Sequence, residues 1–138
     1  MRVFKFGGAS VKDAEAVKNV ASVLQEYGQG PLLVVISAMG KITNKLEELV
    51  DAYYFSKDSK KEIFTEIKSF HQEITGALIK DENDYYEVDN LVENQLLVGK
   101  DPLYPYSDTV DDFGASLSII VTCHYTRPER LGIKEQRI

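Results

Sequence analysis

The spacing of apolar residues changes character several times along this chain. Arg2 to Phe6 alternates and is β-prone, then stops abruptly at Gly7-Gly8. From Asp13 onward Ala14, Val17, Ala21 and Leu24 recur at helical spacing, and Gly28 and Gly30 close that segment. Pro31 leads into Leu32-Leu33-Val34-Val35-Ile36, an unbroken, β-branched run bounded by Ser37. Its length and composition predict a strand buried on both faces. Strand, glycine turn, helix and strand in this order make a βαβ unit, which requires a parallel sheet with a crossover helix.

Helical spacing continues downstream. Ile42, Leu46, Leu49, Val50 and Tyr53 predict a second helix, and Ile63, Ile67, Phe70, Ile74 and Leu78 a third. Val88, Leu91, Val92 and Leu96 predict a fourth, shorter one. Pro102 and Pro105 interrupt the pattern. Residues 108–126 have helical length, but Ile119, Ile120, Val121 and Thr122 are β-branched, so spacing alone does not fix their state. Gly132 to Ile138 reads as a turn and the start of another strand. The fold class is α/β, a three-layer sandwich with a mainly parallel sheet. The chain stops where such a fold would ordinarily continue.

Composition narrows the setting. A chain of 138 residues with 43% hydrophobic and 28% charged residues is that of one soluble globular domain. No apolar run is long enough to cross a bilayer, and charge within the first apolar stretch excludes a secretory signal. The single cysteine, Cys123, excludes an internal disulfide and fits a reducing compartment, so a cytoplasmic location is expected. The net charge of −6 is concentrated in residues 81–93, where six acids stand without a base. The remaining acids and bases balance, leaving no basic stripe for nucleic acid or an anionic membrane. The acidic segment is expected to be a solvated loop or helix start.

Two segments carry candidate chemistry. In Lys5-Phe6-Gly7-Gly8-Ala9-Ser10 the glycines permit close approach of a ligand to the backbone, and a helix beginning near Ser10 to Asp13 would aim its N–H groups at the same point. Lys5 adds positive charge and Ser10 a hydroxyl. A tight turn with a helix cap and a surface lysine explains the same residues. Ser37-Ala38-Met39-Gly40-Lys41-Ile42-Thr43-Asn44 follows the second strand, at the strand end where parallel sheets gather ligands. Alternatively, Ser37 and Thr43 cap the helix after them. Gly40-Lys41 is not a P-loop, because Val35 and Ile42 occupy positions that need Gly and Ser or Thr.

Together these segments resemble the signatures of aspartate kinases, within the amino-acid kinase superfamily. Lys5 to Val11 is similar to their Lys-Phe-Gly-Gly-Thr-Ser-Val opening, and Ser37 to Asn44 to their Ser-Ala-Met-Gly turn ending in Thr-Asn. The resemblance is strong over residues 1–55 and fades beyond residue 80. It implies ATP-dependent phosphorylation of the β-carboxylate of L-aspartate, with Mg2+ accompanying ATP. It also implies that Lys5 is catalytic and holds phosphate oxygens with Gly7, Gly8, Ser10 and Ser37, while Thr43 contacts the amino acid. Residues 1–138 would then be a single partial kinase domain, without the half that binds the nucleotide base and supplies a catalytic aspartate, and without regulatory domains.

Two positions depart from that pattern. Ala9 replaces threonine and still suits a turn. Asp108 to Ala115 aligns with a segment whose final glutamate binds the substrate ammonium, and here Ala115 offers only a methyl group. Weak aspartate binding follows unless Asp111 or Asp112 substitutes, and Asp111 sets a charge in a packed helix. The competing expectation is a non-catalytic lobe used for phosphate binding or dimerisation, or for pairing with a complete kinase.

Smaller signals have simpler readings. Cys123-His124 is not expected to hold metal, because adjacent side chains diverge and no second pair supports them, so no metal ligand is assigned. His71 is expected at a core boundary. The tyrosine pairs at 53–54, 85–86 and 104/106 suit core edges or a homo-oligomer contact. An open strand edge and uncovered apolar faces predict modest stability and self-association.

Overall fold

This computed structural model describes residues 1–98 and 110–126, with residues 97, 98 and 110–113 described by their backbone alone. Strand β1 (Arg2–Phe6) runs into a 3-10 turn at Gly8–Val11, then helix α1 (Ala14–Tyr27), strand β2 (Leu32–Ile36) and helix α2 (Ile42–Tyr54). Helices α3 (Lys60–Leu78), α4 (Glu82–Val98) and α5 (Val110–Tyr125) follow. The two strands pair in parallel, with Val3 opposite Leu33 and Lys5 opposite Val35. The α/β class and the βαβ unit are those the hydrophobic pattern predicts. Gly132–Ile138, Pro102, Pro105, Tyr104, Tyr106, Asp108 and the side chains of Asp111 and Asp112 lie outside the described residues.

The sheet is asymmetric. Phe4, Phe6, Leu32, Val34 and Ile36 face the core, whereas Val3, Leu33 and Val35 are 57%, 48% and 42% exposed. The expectation that β2 is buried on both faces is therefore corrected. Among the described residues helices cover one face, so alternate side chains of each strand meet solvent.

Helix ends follow local chemistry. Asp13 is the N-cap of α1, its carboxylate accepting from the Ala16 N–H, and Gly28 closes the helix by donating to the Leu24 carbonyl. The acidic segment forms most of α4, which is long rather than short. Asp81 accepts from the Asp84 N–H, and Glu82 and Asp84 sit in the first turn, where the helix dipole favours negative charge. Val88, Val92 and Leu96 are buried there, but Leu91 is exposed.

Helix α5 resolves the sequence ambiguity in favour of helix. It touches β2, α2, α3 and α4, and Leu117 and Val121 are fully buried. Burial on several sides outweighs the few tenths of a kcal/mol per residue that β-branching costs a helix. Gly114 makes its approach possible: a Cβ there would lie 2.8 Å from the Ala38 Cβ and 3.3 Å from Leu46 Cδ1. Gly114→Val is expected to destabilise the chain by about 1–3 kcal/mol through overpacking, as urea denaturation would measure, since the small gain in helix propensity does not offset the clash.

His71 is fully buried in α3 rather than at a boundary, with Nδ1 2.8 Å from the Ile67 carbonyl oxygen. The contact requires an Nδ1–H donor. Desolvation lowers its pKa, opposed by the bond to Ile67. As pH falls, the unfolded chain takes up a proton that the native imidazole refuses. This stabilising contribution is complete above the unfolded pKa of about 6.5 and is lost progressively below it. His71→Gln is accordingly expected to flatten the fall in urea midpoint between about pH 7.5 and 5.5 relative to the parent chain.

Candidate functional site

Parallel pairing brings the carboxyl ends of β1 and β2 side by side, so the two glycine-bearing turns leave the sheet at one edge. Hydrogen bonds lock them together. The Ser37 N–H donates to the Phe6 carbonyl over 3.0 Å, and the Gly40 N–H to the Gly8 carbonyl over 3.1 Å. Gly40 adopts φ +52°, a left-handed conformation that glycine reaches without a Cβ penalty.

The two glycines of the first turn have different surroundings. A Cβ on Gly8 would stand 2.9 Å from both the Ala38 and Gly40 carbonyl oxygens, so the second turn already fills that space. Around Gly7 nothing lies within 4 Å of a built Cβ, and its φ of −75° suits any residue. Gly7 therefore leaves open ground at the strand end, while Gly8 lets the turns meet.

The helix after the first turn begins at the far end of the range its sequence suggests. Gly8–Val11 is a 3-10 turn, and α1 starts at Ala14 with Asp13 as its cap. The Asp13 carboxylate accepts from the Ala16 N–H and brings negative charge to that helix end, which disfavours an anion there. Ser10 is exposed and does not cap α1. Nor do Ser37 and Thr43 cap α2, whose N-cap position is Lys41, without a side-chain cap bond. The capping explanation for these three hydroxyls is thereby removed. Ser37 and Thr43 are half-buried at the same edge.

Lys5 projects from the outer sheet face, between Val3 and the end of the strand, and is exposed. Among the described residues Lys5, Lys12 and Lys41 form no salt bridge, in contrast to Lys18, Lys45 and Lys68, which pair with glutamates. Lys12 escaped the sequence reading. Its Cα and Cβ lie 3.7 Å from a Cβ built on Gly40, so a further cation stands at the junction of the turns. Its place two residues after Ser10 was the available signal. Ala115 follows Gly114, whose contact with Ala38 sets this part of α5 beside the second turn.

A parallel α/β edge with two interlocked glycine turns and unpaired cations is an arrangement that can receive an anion. The description "Amino acid kinase family" belongs to the family model that matches residues 1–126, and the chain belongs to that family. Its curated relatives are aspartokinases. Aspartokinase 2, chloroplastic, from Arabidopsis thaliana is 50% identical over 44 residues, covering 32% of this chain and 8% of the relative. The chloroplastic bifunctional aspartokinase/homoserine dehydrogenase of Daucus carota is 32% identical over 82 residues, covering 59% and 9%. The crystal structure of E. coli aspartokinase III in complex with aspartate and ADP superimposes with a TM-score of 0.65 at 22% identity, over 92% of this chain and 29% of that one. The chain thus spans under a tenth of these curated relatives. No helix among the described residues is long and apolar enough to cross a membrane.

The two glycines are expected to respond differently to alanine. Gly8→Ala must displace backbone and should cost about 1–3 kcal/mol, whereas Gly7→Ala should stay within about 0.5 kcal/mol of the parent. Urea denaturation of both variants checks the contrast.

Proposed function

We propose that this chain carries the phosphate-binding and aspartate-binding turns of an aspartokinase and serves ATP-dependent phosphorylation of the L-aspartate β-carboxylate. The observation that carries this reading is the Gly40-to-Gly8 lock between the two signature turns, at one sheet edge with Lys5, Lys12 and Lys41 unpaired around it. Phosphoryl transfer to a carboxylate needs positioning and charge neutralisation more than covalent chemistry from the protein. The match to 29% of a solved aspartokinase supports reading residues 1–138 as the N-terminal portion of a kinase domain.

The residues present fit the phosphates of ATP: open space at Gly7, a free hydroxyl at Ser10, and cations close by. In this reading Gly7, Gly8, Ser10 and Ser37 line the phosphate path, with Gly8 also fixing the second turn against the first. Lys5 neutralises charge developing on the transferred group, and Thr43 contacts L-aspartate. Mg2+ arrives with ATP and screens the phosphate oxygens. Ala115 leaves the substrate ammonium without a carboxylate, so aspartate is bound weakly.

One observation favours a second reading. The exposed Val3, Leu33 and Val35 form an apolar sheet face suited to a homo-oligomer or to pairing with another kinase chain, so the lobe could serve as a phosphate-binding or dimerisation module.

Hydroxylamine trapping of acyl phosphate separates the two, using the full chain with Mg2+-ATP and L-aspartate. Weak aspartate-dependent product is expected, falling by about 100-fold or more in Lys5→Ala. Ala115→Glu should improve use of aspartate by about tenfold or more, because a charged hydrogen-bond partner is supplied. Absence of product from both the folded parent and folded Ala115→Glu would overturn the catalytic reading in favour of the module.

A further inference from the structure

The Cys123-His124 pair is split by α5 exactly as adjacency requires of a helix, and the split points His124 somewhere unexpected. Cys123 is exposed, while His124 is only 4% exposed and meets the acidic first half of α4. Asp84 and Glu87 are three residues apart there, so both lie on one helix face. One ligand atom each from Asp84, Glu87 and His124 falls within 4.8 Å of the other two.

We propose that Asp84, Glu87 and His124 form a binding site for a divalent first-row transition ion, remote in sequence from the two glycine turns. One imidazole nitrogen and two carboxylate oxygens are a donor set suited to borderline ions such as Zn2+, whereas Mg2+ prefers oxygen ligands in a near-octahedral shell. Three protein ligands leave a fourth position for water, and the exposed Glu87 keeps that side open. Tetrahedral Zn2+, with ligands at about 2.0–2.1 Å, needs donor atoms roughly 3.3 Å apart. Closing that gap would fall to the exposed Glu87 and half-buried Asp84 side chains, which would exchange their present contacts for the ion, while the buried imidazole is the fixed member. Asp81 holds the backbone N–H of Asp84, and Asp81 and Glu82 add negative potential that attracts a cation. The ion would join α4 to α5, two helices that pack together.

The bland alternative is an imidazole–carboxylate contact that needs no metal. Titration calorimetry of the chelator-stripped full chain with Zn2+ distinguishes them, supported by the visible spectrum of the Co2+ form. Saturable binding of one Zn2+ per chain is expected, weakened about tenfold or more in Glu87→Gln and in His124→Gln. Zn2+ should raise the thermal midpoint of the parent and not that of Glu87→Gln. Cys123→Ser should leave the affinity unchanged, and Mg2+ should not compete. Should buried His124→Gln fail to fold, the exposed Glu87→Gln decides alone. No saturable Zn2+ binding, binding indifferent to Glu87→Gln, or binding abolished by Cys123→Ser would each overturn the proposal.

Discussion

The second turn, Ala38 to Gly40, is held from two sides, and the candidate site depends on that grip. Gly8 brings the first turn to within 2.9 Å of its carbonyl oxygens, measured from where a Cβ would stand, and Gly114 brings α5 against the Ala38 methyl. Both contacts exist only because the approaching residue has no side chain. Removing either freedom would push apart elements that are far separated in sequence. The alignment of strand ends, the relation of Ser37 to Gly7, and the position of Ala115 all follow from this packing. Close backbone contact fixes the relative placement of the two turns, which is what the proposed phosphate recognition would require.

Around that junction the energetics divide between a core and a surface. Met39 and Ile42 are buried beside the turns, in the same cluster as Val11 and Val17. The cations at the edge stay in solvent, free of acidic partners among the described residues, unlike Lys18, Lys45 and Lys68. Asp13 is the exception among nearby acids, and its carboxylate is committed to the N-terminus of α1. Structural charge and candidate functional charge are thus kept apart within a short stretch of chain.

Much of this was legible in the sequence where one residue pattern had one physical solution. The alternation in Arg2–Phe6, the helical spacing in Asp13–Leu24 and the glycine turns required a βαβ unit, and both turns fell on one sheet edge. The start of α1 was bracketed between Ser10 and Asp13, both competent caps; Asp13 takes the role, and Gly8–Val11 forms a separate 3-10 turn. Helix α5 was ambiguous because β-branched residues favour strands locally, a preference that contacts with four other elements override. His71 looked like a boundary residue because sequence spacing cannot reveal that its ring nitrogen finds the Ile67 carbonyl. Lys12 was overlooked because its proximity to Gly40 arises from the fold, not from any motif.

The sheet's exposed face has a bearing on Lys5 that goes beyond solubility. Lys5 shares that face with Val3, and its cross-strand neighbour is Val35. Its ammonium therefore rises beside apolar side chains that are themselves exposed among the described residues. A nucleotide or a stretch of polypeptide laid on that face would expel water, strengthening the proposed pairing of the ammonium with a phosphate while costing both groups their hydration. If Lys5 serves phosphate as proposed, covering the sheet would change the worth of its charge as well as the exposure of its apolar neighbours.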